Sequence, residues 1–106
     1  MRMGIIIYSS EPEIVWNAMR LANCALMNKD SVEIFLLGKG VDINAIDSKA
    51  FNIPELISAF KSQGGKMMAC SACVQGRNLP DYDLCVTSKG MECYQLILEC
   101  DKVLTF

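Results

Sequence analysis

Two cysteines three positions apart, Cys70 and Cys73, stand between a short apolar run and a segment suited to the first turns of a helix. The run is Lys66-Met67-Met68-Ala69 and the segment is Val74-Gln75-Gly76-Arg77. A cysteine at a strand-to-helix junction faces unpaired backbone N–H groups and the positive end of a helix dipole. Both favour the thiolate, which is the nucleophilic form. The chain contains no histidine and no hydrolase motif, so the chemistry open to it is sulfur chemistry. Cys70 is the lead nucleophile. Cys73, one turn into the helix, is either a resolving thiol for Cys70 or a packing residue beneath the helix.

Other residues that could serve such a thiol lie in turns. Lys39 and Lys89 follow the second and fourth predicted strands. If the third strand lies between those two, the lysines flank Cys70 and attract an anionic sulfur donor. An ordinary solvated lysine is the competing reading of each, and Arg77 is a further cation along the helix. Gly38, Ser71, Ser88 and Gly90 share these turns as binding candidates. Ser9 and Ser10 at a helix start could hold an anion, or Ser10 could simply cap the helix. Gly38-x-Gly40 is no dinucleotide fingerprint, because that motif needs a third glycine and follows the first strand rather than the second.

The elements that position these residues alternate. Met3 to Tyr8 is a continuous apolar run with three isoleucines, the pattern of a strand buried on both faces. Ser10 reads as an N-cap with Glu13 completing a capping box and Pro12 in the first turn. Ile14, Ala18, Leu21 and Ala25 form one apolar stripe of that helix, with Val15, Met19, Ala22 and Leu26 beside it. Val32 to Leu37 is the second strand, ended by a flexible Gly38-Lys39-Gly40 turn. Residues 41–52 are irregular, with room for a short helix. A helix from Pro54 to Gln63 stops at Gly64-Gly65. The third strand runs from Lys66 to Cys70 and a short helix from Ser71 to Arg77. Asn78-Leu79-Pro80-Asp81 breaks the chain. A fourth strand from Asp83 to Thr87, a turn at Ser88-Lys89-Gly90, a helix from Met91 to Glu99 and a fifth strand from Lys102 to Phe106 complete it. Tyr94, Ile97 and Leu98 are the inward candidates of the last helix. Trp16 and Met91 read as packing or interface residues. This alternation predicts a parallel sheet with helices on both faces and sites along the carboxyl rim of the strands.

With 106 residues the chain predicts one domain, 1–106, able to fold without staples. With glycine counted and tyrosine left out, about 56% is apolar, above the usual ~45–50%. A sheet buried on both faces and a surface covered by another subunit both account for the surplus. Net charge is −2 with no basic cluster, which argues against nucleic acid. No apolar run approaches a membrane span or a signal peptide, so a cytoplasmic protein is expected. Six cysteines without a secretory signal read as free thiols. Cys24, Cys85, Cys93 and Cys100 are expected to be small buried hydrophobes. Zinc is disfavoured, because the chain has one Cys-x-x-Cys, no second pair and no histidine.

The chain resembles the DsrE/DsrF/TusD family of sulfur-relay proteins over essentially its whole length. The likeness rests on the first strand and its long helix, on Phe35-Leu36-Leu37-Gly38-Lys39-Gly40-Val41, and on Phe60-Lys61-Ser62-Gln63-Gly64-Gly65 leading to Cys70. It extends to Cys70-Ser71-Ala72-Cys73 followed by Gly76-Arg77, and to the closing Glu99-Cys100-Asp101-Lys102-Val103-Leu104-Thr105-Phe106. The resemblance implies a three-layer α/β/α sandwich with a five-stranded parallel sheet, the third strand between the second and fourth and the first between the second and fifth. It implies a trimer or hexamer and a persulfide on Cys70 passed between a sulfur donor and an acceptor protein; no separate cofactor and no metal are expected. The chain departs from the family pattern at Cys73, where a small apolar residue is usual, and in the Gly76-Arg77 order. Two other readings stay open: a Cys70/Cys73 thiol–disulfide protein, and a non-catalytic oligomeric ligand-binding protein of the same fold.

Overall fold

The computed structural model describes residues 1–79, 82, 86–88 and 91–106, with 86–88 described by backbone alone. The expected site residues Lys89 and Gly90, the start of the expected fourth strand and Cys85 lie outside the described residues. The elements run β1 (Arg2–Ile7), α1 (Pro12–Met27), β2 (Ser31–Leu36), a 3₁₀ helix (Gly38–Ala45), α2 (Ile53–Ser62), β3 (Lys66–Cys70), α3 (Ser71–Gly76), β4 (Val86–Ser88), α4 (Glu92–Glu99) and β5 (Lys102–Thr105).

The sheet order is β4-β3-β2-β1-β5, and every neighbouring pair is parallel. Parallel register stacks the apolar strands in rows. Ile5, Ile34 and Met67 stand side by side, then Ile6, Phe35 and Met68, then Ile7, Leu36 and Ala69. Successive rows point to opposite faces because side chains alternate along a strand. The first and third rows join α1 and α2 in the larger core, with Val15, Ala18, Met19, Ala22, Ile57 and Phe60. The middle row faces the other way and forms a smaller core with Leu96 of α4. Helices therefore lie on both faces of a parallel sheet. That is why the strands carry no polar alternation: neither face meets water.

Three local expectations are corrected. The cap of α1 is Glu11, not Ser10. Its carboxylate accepts the Ile14 N–H at 2.8 Å, and the Ser9 hydroxyl accepts the Glu11 N–H at 3.0 Å. The buried stripe of α1 is Val15, Ala18, Met19, Ala22 and Ala25, while Ile14 and Leu21 are exposed. On α4, Tyr94, Ile97 and Leu98 point outward, together with Met91. Leu96 takes the inward position, with Cys93 and Cys100 packed beside it. Spacings of three and four residues on one helix allow only one of these sets to face the sheet, and the sheet takes the smaller side chains. An apolar strip is left outside.

Asn23 is a buried polar residue on α1 that sequence patterning did not single out. Its amide donates to the Leu56 carbonyl at 3.1 Å and its oxygen accepts from Gln63 Nε2 at 3.3 Å, tying α1 to α2. Asn23→Ala should cost about 1–2 kcal/mol, because it strands part-buried partners. A lower urea midpoint with an unchanged m-value is the expected readout.

Candidate functional site

Cys70 is the last residue of β3, in register with Ser88 of β4, and is half-buried. Its position in the alternation turns it to the same face as Met68, where it packs against the smaller core. Its extended backbone caps α3, and its side chain makes no capping bond. With only six residues in α3, the helix dipole is short, and individual contacts decide the electrostatics here. Cys73 supplies the nearest of them. Its Sγ accepts the Gly38 N–H at 3.3 Å, and the Cys70 thiol is near enough to act on its ionisation. Burial is the main force pushing the Cys73 thiol above its ordinary range, followed by the neighbouring Cys70 thiol; the Gly38 N–H and the Arg77 charge pull the other way. The net shift is upward, so Cys73 keeps its proton at neutral pH. Both thiols are free.

The 3₁₀ helix brings the Gly38 amide to Cys73. Gly38 has a left-handed backbone, φ +50°, and a Cβ on it would stand 3.1–3.4 Å from the Tyr8 ring, tighter than ordinary contact. A Cβ on Gly40 would lie 2.0 Å from the Ile7 carbonyl oxygen. That same oxygen accepts the Leu37 N–H at 3.0 Å, and the Leu37 oxygen accepts the Gly40 N–H at 2.8 Å. The expected flexible turn is thus an ordered helix pressed onto the end of β1, and both glycines are there for close approach. Asp42, further along this helix, pairs with Arg77 through Nε at 2.8 Å and through Nη2. The pair ties the end of α3 to the 3₁₀ helix and still leaves Arg77 close enough to ease ionisation of Cys73.

The other expected residues are scattered along the rim. Lys39 is exposed on the 3₁₀ helix, and Ser71 is half-buried as the first residue of α3. Ser88 ends β4 instead of opening a turn, because the parallel ladder extends to its partner Cys70. Ser9 is engaged in the α1 cap. Ser10 lines a cleft of about 280 Å³ with Pro12, Asp42, Ala45, Ile46 and Asp47. Sequence reasoning gave Tyr8 and Asp42 no role in the site, and it read Cys93 only as packing. Cys93 lies in the first turn of α4, close enough to Cys70 to sense its charge, although burial is the larger force pushing its thiol up. Cys24, expected to be buried, is exposed on α1. Cys100 sits at the other end of the sheet, its sulfur against Gly4. Among the described residues no cluster of three or more His, Cys, Asp or Glu could hold a metal.

Cys73, Cys93 and Cys100 are all pushed above the ordinary thiol range, burial coming first in each. A folded-state pKa above the unfolded one favours folding while the group is protonated, so this stability is complete below the unfolded pKa. It drains away as pH rises through the folded value. Urea midpoints should therefore hold steady up to roughly pH 8 and fall above it. Replacing Cys73 with Ala should flatten part of that alkaline fall.

The comparisons with known proteins bear on the fold and the family. The chain is 30% identical over 100 residues to the uncharacterized protein MJ0989 of Methanocaldococcus jannaschii, covering 89% of this chain and 88% of that one. The crystal structure of the ychN protein from E. coli superposes with a TM-score of 0.80 at 25% identity over the full length of both chains. A protein of unknown function from Bacteroides thetaiotaomicron, BT1422, shares the fold at 18% identity, with a TM-score of 0.81 over 99% of this chain and 94% of that one. Among the described residues no helix is long and apolar enough to cross a membrane. The DsrE/DsrF-like family model matches residues 1–106, and the chain belongs to that family.

Proposed function

We propose that this protein is a sulfur carrier working between a donor and an acceptor protein. The Cys70 thiolate attacks the outer sulfur of a donor persulfide; the donor leaves as a thiolate and Cys70 holds the persulfide. An acceptor thiolate then attacks that outer sulfur, and Cys70 leaves as a thiolate. Thiolates serve as both nucleophile and leaving group, so neither step needs a histidine. The observation that carries this reading is the place of Cys70 at the carboxyl end of β3, on the rim of the sheet, beside a second thiol, Cys73, that burial keeps protonated. The outward apolar strip of α4, Met91, Tyr94, Ile97 and Leu98, supports self-assembly of the kind expected from the family resemblance. Free thiols suit a reducing compartment, the cytoplasm.

The test is peptide mass spectrometry after incubation with a persulfide donor. A one-sulfur adduct on the Cys70 peptide, discharged by an acceptor thiol, is expected; an adduct confined to other cysteines would sink the proposal. The nearness of the two thiols also favours a second reading, a Cys70–Cys73 thiol–disulfide couple. A disulfide that forms reversibly in the folded protein at a cytosol-compatible potential would support that reading instead.

A further inference from the structure

We propose that Tyr8 is a positioning residue for the thiol pair, acting through the Gly38 peptide. This rests on the reading that Cys70 and Cys73 are the working thiols, and it adds a residue to which that reading assigns no role. Tyr8 follows the last residue of β1, and its N–H donates to the Phe106 carbonyl at 2.7 Å. Its backbone is therefore fixed to the end of β5, yet the residue is 63% exposed. An exposed aromatic ring with a fixed backbone is free to swing away unless something holds it. Here the far end of the ring, Cε1, Cζ and Cε2, stands 3.1–3.4 Å from where a Cβ on Gly38 would lie, closing off the space beside that residue. Gly38 needs that support. Glycine pays the largest conformational entropy on ordering, and this one is held at φ +50°. With the ring in place, its N–H is aimed at the Cys73 sulfur at 3.3 Å. The chain of contacts runs from Tyr8 to Gly38, to Cys73 and on to Cys70, and only its last two members are thiols.

The ring, not the hydroxyl, makes the contact, which separates two variants. Tyr8→Phe keeps it and Tyr8→Ala removes it. Among the described residues, the charged and titratable groups that act on Cys73 are Cys70 at the end of β3 and Arg77 after α3, whose partner Asp42 lies on the 3₁₀ helix; Lys39 is exposed on that same helix, and Tyr8 carries a phenol. Tyr8→Phe deletes the phenol while leaving the others, so its profile shows whether the phenol acts by charge.

The experiment measures alkylation of each cysteine against pH, resolved by peptide mass spectrometry, with exposed Cys24 as internal control. In Tyr8→Ala the Cys73 midpoint should rise by about one pH unit, the loss expected when an N–H no longer bonds a thiolate. In Tyr8→Phe it should match the parent protein, and Cys24 should not move in either variant. An unchanged Cys73 midpoint in folded Tyr8→Ala, or an equal rise in Tyr8→Phe, overturns the proposal. If Tyr8→Ala does not fold, the parent protein decides alone. The Gly38 amide resonance should titrate together with Cys73, and an amide that ignores that titration overturns the proposal. Sulfur loading on Cys70 is scored separately, so failure of the carrier reading leaves these midpoints interpretable.

Discussion

Cys70→Ala should abolish sulfur loading, with a loss of roughly 10³-fold or more in single-turnover transfer, while Cys73→Ala should still load. The asymmetry follows from where each thiol sits. Cys73 and Cys93 are pushed toward the protonated form by burial, and a protonated thiol is a poor nucleophile. Cys24 lies exposed on α1, and Cys100 lies against Gly4 near the start of β1. Neither can substitute for a residue on the carboxyl rim. Cys73→Ala removes a neighbouring thiol without removing the nucleophile. Losing one such polar contact costs about 1.5 kcal/mol, so transfer should slow about 10-fold. Quenched-flow transfer followed by mass spectrometry separates the two variants. Full loading in Cys70→Ala, or none in folded Cys73→Ala, would show that the roles are assigned the wrong way round.

The strands and the rim were legible in the sequence because parallel strands buried on both faces write themselves as continuous apolar runs. Ile5-Ile6-Ile7 and Ile34-Phe35-Leu36 need no knowledge of their neighbours to be read this way. Cys70 was legible for the same reason: the run that ends in it fixes its height in the sheet. The faces of α4 were not. Tyr94, Ile97 and Leu98 are as apolar as the residues that do face the sheet, and hydrophobicity cannot choose between two apolar faces of one helix. The contacts around Cys73 were hidden for a different reason. Gly38 lies 35 residues from Cys73, as does Asp42 from Arg77, and no local pattern announces a pairing at that separation. Gly38-x-Gly40 reads as flexibility in isolation. Only the neighbouring Tyr8 ring and Ile7 carbonyl show that two missing side chains allow an ordered approach.

That approach makes Gly40→Ala the substitution with the largest expected effect on the fold. The new Cβ would stand 2.0 Å from the Ile7 oxygen and 2.8 Å from its carbonyl carbon. Both atoms belong to the backbone of a strand hydrogen-bonded to β2 and β5, so no rotamer change relieves the clash. Either β1 distorts at its end or the 3₁₀ helix lifts away. The cost should be about 3 kcal/mol or more, at the upper end of overpacking. Lifting the helix also withdraws the Gly38 N–H from Cys73, so the Cys73 alkylation midpoint should rise in whatever fraction remains folded. Gly76→Ala is the matched control, because a Cβ there meets nothing within 4 Å. It should be neutral or slightly stabilising, by up to ~1 kcal/mol. Urea denaturation of the two variants measures the contrast. Equal midpoints would mean that the 3₁₀ helix is not pressed against β1, and the route by which Gly38 reaches Cys73 would fall with it.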